Sequence, residues 1–541
     1  MVKIGNIHKE IVYWGTGNIC EYCLEEYPDI IPSFFIASSP EKNIFKGKAV
    51  KGPDEVSDWR QYYIVIAIKS DKVKTEIQKY LEEKGLRKNE DFCTYIEAFS
   101  CANPEIKTSI DSIYTYMHKH PEVVNPIMLV VPVVGVRRNK DYIRFLSTYI
   151  KKRGSNRCIV FSNLQVITSE MASDKLGCPV FYVPDTNNIM RGDDIDLNIA
   201  RQIKVKIPAE EINWLEKMED RKLSPDKEKS FGESIETYYY YNSVIELVKP
   251  SKLIIWGNWT RDSYILGHLA GNYGITHGYM EHGWLPGTYQ VDPRGIGGQS
   301  EYAVNPQIFD KLQVKELYDI EQIKQYIIDL KLDTRTFINT EEDNASLLRV
   351  KENRKTVFLV GMDDYGMQMN PKNDYWKKYI SNVVESTEHA LLLLSKVCKK
   401  HKWNLIFKPH PGNSVPDLTQ DMEDIIFVKD MEIDRLIKLS DIVVSISSAV
   451  EYKALIYGKP LIQLGITGLS GKGCTYMVTK EQMLEEQMEL ALNNGMTQNQ
   501  NKNFNHMLQI LLQKYQWDDM SERKLRYGLT VDKDFLEFEN R

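Results

Sequence analysis

The sequence is poor in the features that mark exported, membrane-spanning or nucleic-acid-binding chains. Only eight of its 541 residues are cysteine, and they show no framework spacing. That excludes a disulfide scaffold and fits free thiols in a reducing compartment. No apolar run reaches the ~18 residues of a spanning helix. The longest, Ile127–Val136, contains a proline and a glycine and has the length of a core strand. The opening residues, MVKIGNIHKE, lack an apolar signal-peptide core, so the expectation is a cytoplasmic chain. Positive charge is not in excess. Against 69 Lys and Arg stand 75 Asp and Glu, a formal net charge of −6, which argues against a nucleic-acid partner. No internal repeat or low-complexity tract appears.

What is present is globular: 42% hydrophobic and 27% charged residues, in a chain long enough for about three domains. Strand patterns at Lys9–Trp14, Ser33–Ala37 and Tyr63–Ile68 alternate with helical patterns, which predicts a small Rossmann-like domain over residues 1–102. Gly15-Thr16-Gly17 follows its first strand, where a tight turn with open N–H groups can receive a phosphate. Gly15 and Gly17 are therefore a candidate nucleotide site. Two features weaken it: Cys20 stands where a third glycine is usual, and no acid ends the second strand. Cys20 and Cys23 have redox spacing, but one helix face places both in the core.

A second α/β segment over 103–345 contains strand patterns at Ile127–Val134, Arg157–Phe161 and Val180–Val183. Its charged stretch Glu216–Ser234 reads as a solvated loop, and Tyr238–Tyr241 as packing residues. A polar break at Asn339–Glu352 separates it from a third segment, 346–541, with strands at Thr356–Val360, Asn404–Phe407, Ile425–Val428, Ile442–Ser445 and Pro460–Leu464. The end of the chain, Glu481–Arg541, reads as largely helical. Two successive doubly wound segments imply two facing lobes with a ligand between their strand ends.

Four clusters fall where parallel strands should end. After Trp256-Gly257-Asn258 comes Glu281-His282-Gly283, running on to Asp292-Pro293-Arg294-Gly295 in a stretch read as a glycine- and proline-rich loop. A carboxylate desolvated there can act as a base, and turn capping is the competing role. Gly361, Asp363 and Asp364 follow the strand Thr356–Val360. Lys408-Pro409-His410-Pro411 follows Asn404–Phe407; its prolines hold His410 for a phosphate or leaving group, and Lys408 adds positive charge. Ser447, Ser448 and Glu451 follow Ile442–Ser445, as an anion cradle or a helix cap. His277, Glu281 and His282 have no zinc-site spacing, so no metal is expected.

As a set, Glu281-His282-Gly283, Lys408-Pro409-His410-Pro411 and Ser447-Ser448 resemble the acid–acid–Gly, His-Pro and Ser-Ser motifs of bacterial CMP-sugar glycosyltransferases, among them GT-B sialyl- and polysialyltransferases. The run Glu281–Ser300, with Ala454-Leu455-Ile456-Tyr457-Gly458-Lys459-Pro460, looks like the capsule polysaccharide biosynthesis family, which includes Kdo transferases. The resemblance covers residues 120–480. It implies an α/β GT-B fold whose two Rossmann-like lobes, acceptor lobe first, follow the small domain. Glu281 would be the base on an acceptor hydroxyl, with Asp292 a rival. His410 would bind the donor phosphate and assist its departure, with Gly361, Asp363, Asp364, Lys408, Pro411, Ser447, Ser448 and Glu451 around the donor. His282 occupies the place of the motif's second acid. No cofactor is implied beyond a nucleotide-sugar substrate, and the partners are that donor and a glycan or lipid-linked glycan acceptor at the inner face of the cell membrane. Three other readings stay open: a UDP-sugar donor, a CDP-polyol phosphotransferase and a non-catalytic glycan- or nucleotide-sugar-binding scaffold.

Overall fold

A computed structural model describes residues 9–26, 30–38, 43–68, 71–88, 90–95, 106–131, 137–162, 169–183, 197–224, 226–307, 314, 316–329, 340–364, 369–410, 424–518 and 527. The protein is α/β, with largely parallel sheets and two compact units. One comprises Met1–Asp194, Tyr240–Ile254 and Met520–Glu522; the other comprises Ile195–Tyr239, Ile255–Asp519 and Arg523–Arg541.

The first unit opens with β1 (Glu10–Trp14), β2 (Phe35–Ile36), β3 (Ile44–Phe45), β4 (Lys48–Lys51), β5 (Tyr62–Ile66) and β6 (Phe92–Thr94), in the order β3-β4-β2-β1-β5-β6. β1 is parallel to β2 on one side and to β5 on the other, so the glycine turn stands at a switch point, as the alternation of strands and helices predicts. Cys20 and Cys23 are fully buried, and burial pushes both thiols up, Cys23 to about 12. Neither is a thiolate at neutral pH, so they are core residues. A second set, β7 (Ile127–Val130), β8 (Cys158–Ser162) and β9 (Val180–Tyr182), is parallel throughout. β10 (Lys252–Trp256) follows in the chain.

In the second unit β11 (Thr276–His282) and β12 (Thr288–Asp292) form an antiparallel hairpin. Then come β13 (Thr356–Val360), β14 (Asn404–Lys408), β15 (Ile425–Phe427), β16 (Ile442–Ser445), β17 (Leu461–Gln463) and β18 (Tyr476–Met477), in the order β15-β14-β13-β16-β17-β18 with every pair parallel. This is the dinucleotide-fold order, and its switch point lies between the exits of β13 and β16. These strands are almost continuously apolar because both faces are covered. After two helices the chain returns as β19 (Gln516–Asp518), antiparallel to β12. The helical reading of the C-terminal stretch therefore misses one strand, too short for a period-two pattern to show.

The reading of Glu216–Ser234 as a solvated loop is overturned. The stretch runs from one helix, Ala209–Glu219, into a second, Lys227–Val248. Ser230, Glu233 and Ser234 are buried. Ser234 donates to Glu219, and Arg261 donates from Nη1 to Glu233 at 2.7 Å, from Nη2 to Ser230 at 2.9 Å and from Nε to Glu219 at 3.4 Å. The missing apolar stripe is replaced by a partner 28 residues downstream, invisible to local pattern. The adjoining Arg221 guanidinium lies between the rings of Tyr264 and Tyr375, 5.4 and 5.2 Å away. Tyr238, Tyr240 and Tyr241 are buried, as their packing role predicts. The expected break at Asn339–Glu352 includes the helix Glu341–Leu347, whose buried Asp343 accepts from the N–H groups of Lys429 and Asp430 at 2.8 and 2.7 Å.

Arg261→Leu takes the cation from the buried Glu233 and the part-buried Glu219 and is expected to cost about 3–5 kcal/mol. Urea denaturation checks this: a midpoint unchanged from wild type would show that the cluster carries no net stability, and adding Glu233→Gln should recover part of any loss.

Candidate functional site

The strand exits of the second unit collect the chemistry. Gly361 leaves β13 pressed against the turn that leaves β14: a Cβ there would lie 2.8 Å from the His410 nitrogen and 2.9 Å from the Lys408 oxygen. Only glycine lets the two exits approach this closely. His410 is thereby placed at the strand end, half-exposed, with Nδ1 3.8 Å from Asp363 Oδ1. Pro411 lies outside the described residues.

Not every neighbour turns toward that space. Lys408 is buried and its ammonium donates to the Lys429 carbonyl, tying β14 to the exit of β15. Asp364 accepts from the Thr387 N–H at 3.3 Å from both oxygens, so it steadies the start of the helix Thr387–His401. Burial raises its carboxyl above the usual range.

At the β16 exit, Ser447 and Ser448 are partly exposed. The Ser448 hydroxyl accepts from the Val450 N–H at 3.3 Å, but the N-cap of the following helix is Ala449 and no side chain caps it, so the serine cap weighed for this turn is not formed. Glu451 is fully buried. It accepts from the Thr467 hydroxyl at 2.9 Å and the Ser448 N–H at 3.4 Å, and burial pushes its carboxyl up to about 7. Gln463 continues this network, donating to Gly465 O, Thr467 Oγ1 and Ser470 Oγ at 2.8–3.0 Å. Glu451 therefore faces the floor of the site.

The second carboxylate region is a hairpin and not the irregular loop expected. Glu281 is the penultimate residue of β11 and Asp292 the last of β12. Glu281 accepts from the His282 N–H at 3.0 Å, and Gly257 at the end of β10 faces its Oε2. The residue is partly open to solvent, but its carboxyl is packed inside, and desolvation pushes it up to about 7. Asp292 is buried with backbone donors around it: Arg294 at 2.8 Å, Gly295 at 3.2 Å and Glu301 at 3.0 Å to both oxygens. Desolvation outweighs these donors and leaves it at about 6. Its geometry is that of a loop anchor.

Two residues that sequence reasoning passed over join the hairpin to the third sheet. Trp284 stacks on Tyr452 with centroids 5.4 Å apart and an interplanar angle of 12°. A Cβ on Gly468 would strike that ring at 2.5 Å, and one on Gly298 would meet the Tyr379 oxygen at 1.9 Å. The signal was available in Gly465-Ile466-Thr467-Gly468, two glycines after an apolar strand. Gly283 is required as well, since a Cβ there would fall 1.9 Å from Thr288 Oγ1.

In the first unit, the Gly15 N–H donates to Ile36 O at 2.8 Å, and a Cβ there would meet Ala67 O at 2.6 Å. Gly15 thus serves strand packing, and Gly17 stands in open space. Among the described residues, one group of three metal-capable side chains occurs, His401, Glu485 and Glu489, with Lys400 2.7 Å from Glu485. It lies on helices away from the strand exits. Among the same residues, no helix is long and apolar enough to cross a membrane.

Residues 382–515 match the family of capsule polysaccharide biosynthesis proteins. No curated protein sequence matches the chain. Among solved structures it is similar to a β-Kdo 2,7 transferase, KpsC, of Thermosulfurimonas dismutans, at 17% identity over 51% of this chain and 82% of that one, with a TM-score of 0.30. It is also similar to a UDP-GlcNAc 2-epimerase of Methanocaldococcus jannaschii, at 13% identity over 71% and 99%, TM-score 0.32. A third is a glycosyltransferase of Rickettsia africae, at 15% identity over 72% and 93%, TM-score 0.30.

Glu451 tests the electrostatics of this floor. Its folded value near 7 exceeds the unfolded value near 4.5, so stability is full below the latter and falls as pH rises toward the former. Glu451→Gln should flatten the loss between pH 5 and 8, by up to roughly 3 kcal/mol. Parallel melting curves for variant and wild type would contradict it.

Proposed function

We propose that the protein is a glycosyltransferase of bacterial surface-polysaccharide synthesis, of GT-B type, taking a sugar from a CMP-activated donor to a glycan acceptor. The observation that carries this reading is a division of labour within one compact unit. A desolvated carboxyl, Glu281, stands on the hairpin, while His410, Ser447 and Ser448 stand at the strand exits on either side of the dinucleotide-fold switch point. Capsule-family similarity over residues 382–515 supports the substrate class.

In this reading the Glu281 carboxylate accepts the proton of an acceptor hydroxyl as that oxygen bonds to the anomeric carbon. The bond between that carbon and the phosphate oxygen breaks, and its electron pair leaves with CMP. His410, beside Asp363, donates to the departing phosphate, and the Ser447 and Ser448 hydroxyls hold it. Asp292 keeps the loop after β12 in place, Asp364 and Lys408 hold the strand exits, and Glu451 supports the serine turn from below. The protein's own groups stabilise the leaving phosphate in this reading, without a metal. Acceptors of this class are often lipid-linked, so contact with the inner membrane face comes through them.

A base that must be ionised gives a rate that rises with pH. We expect kcat/KM for sugar transfer from a CMP-sugar to rise tenfold per unit below about 7 and level above it, following Glu281. Glu281→Gln should lower kcat by about 10²–10⁴ while leaving CMP affinity unchanged. Release of CMP, followed by coupled assay, measures both. A variant as active as wild type would remove Glu281 from the chemistry, and turnover of CDP-glycerol instead would move the protein to polyol-phosphate transfer.

A further inference from the structure

Next to Glu281 the chain presents an aromatic residue that the mechanism above leaves unused. Trp259 sits in the turn between β10 and the helix Arg261–Asn272, and it remains partly exposed where Trp517 of the same unit is wholly buried. Two glycines shape its place. A Cβ on Gly257, whose φ is +62°, would lie 3.6 Å from Glu281 Oε2 and 3.7 Å from Trp259 Cδ1, so carboxylate and indole flank a single point. On the other side, a Cβ on Gly297 (φ +61°) would meet the indole's benzo ring at 3.3 Å. The turn is itself anchored: Asn258 is buried and donates to Gln299, while Thr260 caps the helix through Ser263. The indole is therefore flanked by the two glycine positions, with the Glu281 carboxyl on the far side of Gly257, and stays partly exposed.

A rigid, partly exposed indole beside a proton acceptor matches one ligand chemistry. The electron-rich ring attracts the weakly positive C–H face of a pyranose, while the carboxylate takes a hydroxyl of the same ring. We infer that Trp259, seated on Gly297 beside Glu281, is the platform for the acceptor sugar, orienting its hydroxyl toward Glu281. This rests on the transferase reading and adds the acceptor subsite to it. Trp259 is a binding and positioning residue, with no proton to give to the reaction.

The test uses saturation-transfer NMR on the full chain with methyl glucoside, methyl galactoside and methyl N-acetylglucosaminide at millimolar concentration, alongside calorimetry with CMP. Wild type should transfer saturation to the C–H protons of at least one pyranoside. Trp259→Ala should reduce that transfer about fivefold or more, Trp259→Phe should retain part of it, and CMP affinity should stay the same in both. Gly297→Ala, which crowds the indole without removing it, should weaken the pyranoside signal in the same direction. Equal transfer in Trp259→Ala and wild type overturns the platform. Wild type that binds CMP but none of the pyranosides also overturns it while leaving the transferase reading intact, and wild type that binds neither overturns both.

Discussion

The stack of Trp284 on Tyr452 is the contact on which the candidate site depends. Trp284 belongs to the hairpin that holds Glu281, and Tyr452 adjoins Glu451 below the serine turn. The two rings meet because glycine at 468 leaves them room, and Leu285 beside Trp284 is fully buried in the core of the third sheet. In the proposed reaction the hairpin of Glu281 is thereby tied by dispersion and burial to the turn of Ser447 and Ser448. β19 reinforces this from the far end of the chain, since Gln516 lies under Gly283 and accepts from Thr288 at 3.2 Å.

Desolvation raises three carboxyls of this unit. Asp292 is surrounded by backbone N–H donors and is still pushed up to about 6. Glu451 has one hydroxyl and one N–H and rises to about 7, inside the floor. Glu281 reaches about 7 with one N–H donor, in a residue that stays partly open to solvent. Burial alone therefore does not single out a base; in the proposed reaction that role goes to Glu281, the one of the three whose residue keeps some exposure.

Much of this could be read from the sequence. The alternation of apolar strands and helices located all five expected strands of the third segment, and with them the exits that hold Gly361, His410 and Ser447. What it could not tell is where side chains turn once a strand ends. Lys408 and Asp364 sit at the expected exits but are committed to Lys429 and Thr387. Glu281 and Asp292 were placed in a loop because their glycine-rich surroundings hide a short antiparallel pairing. Glu216–Ser234 looked solvated because its charges are matched by an arginine far along the chain. Such partners are set by tertiary contact, which local composition does not encode.

Calorimetric titration of the full chain with CMP, CDP, UMP and UDP, on wild type and on His410→Ala, tests the central claim most directly. The account requires one CMP site per chain, favoured over the other three nucleotides and weakened at least tenfold by the substitution. CMP binding that His410→Ala leaves untouched, or no binding of CMP at all, would contradict it.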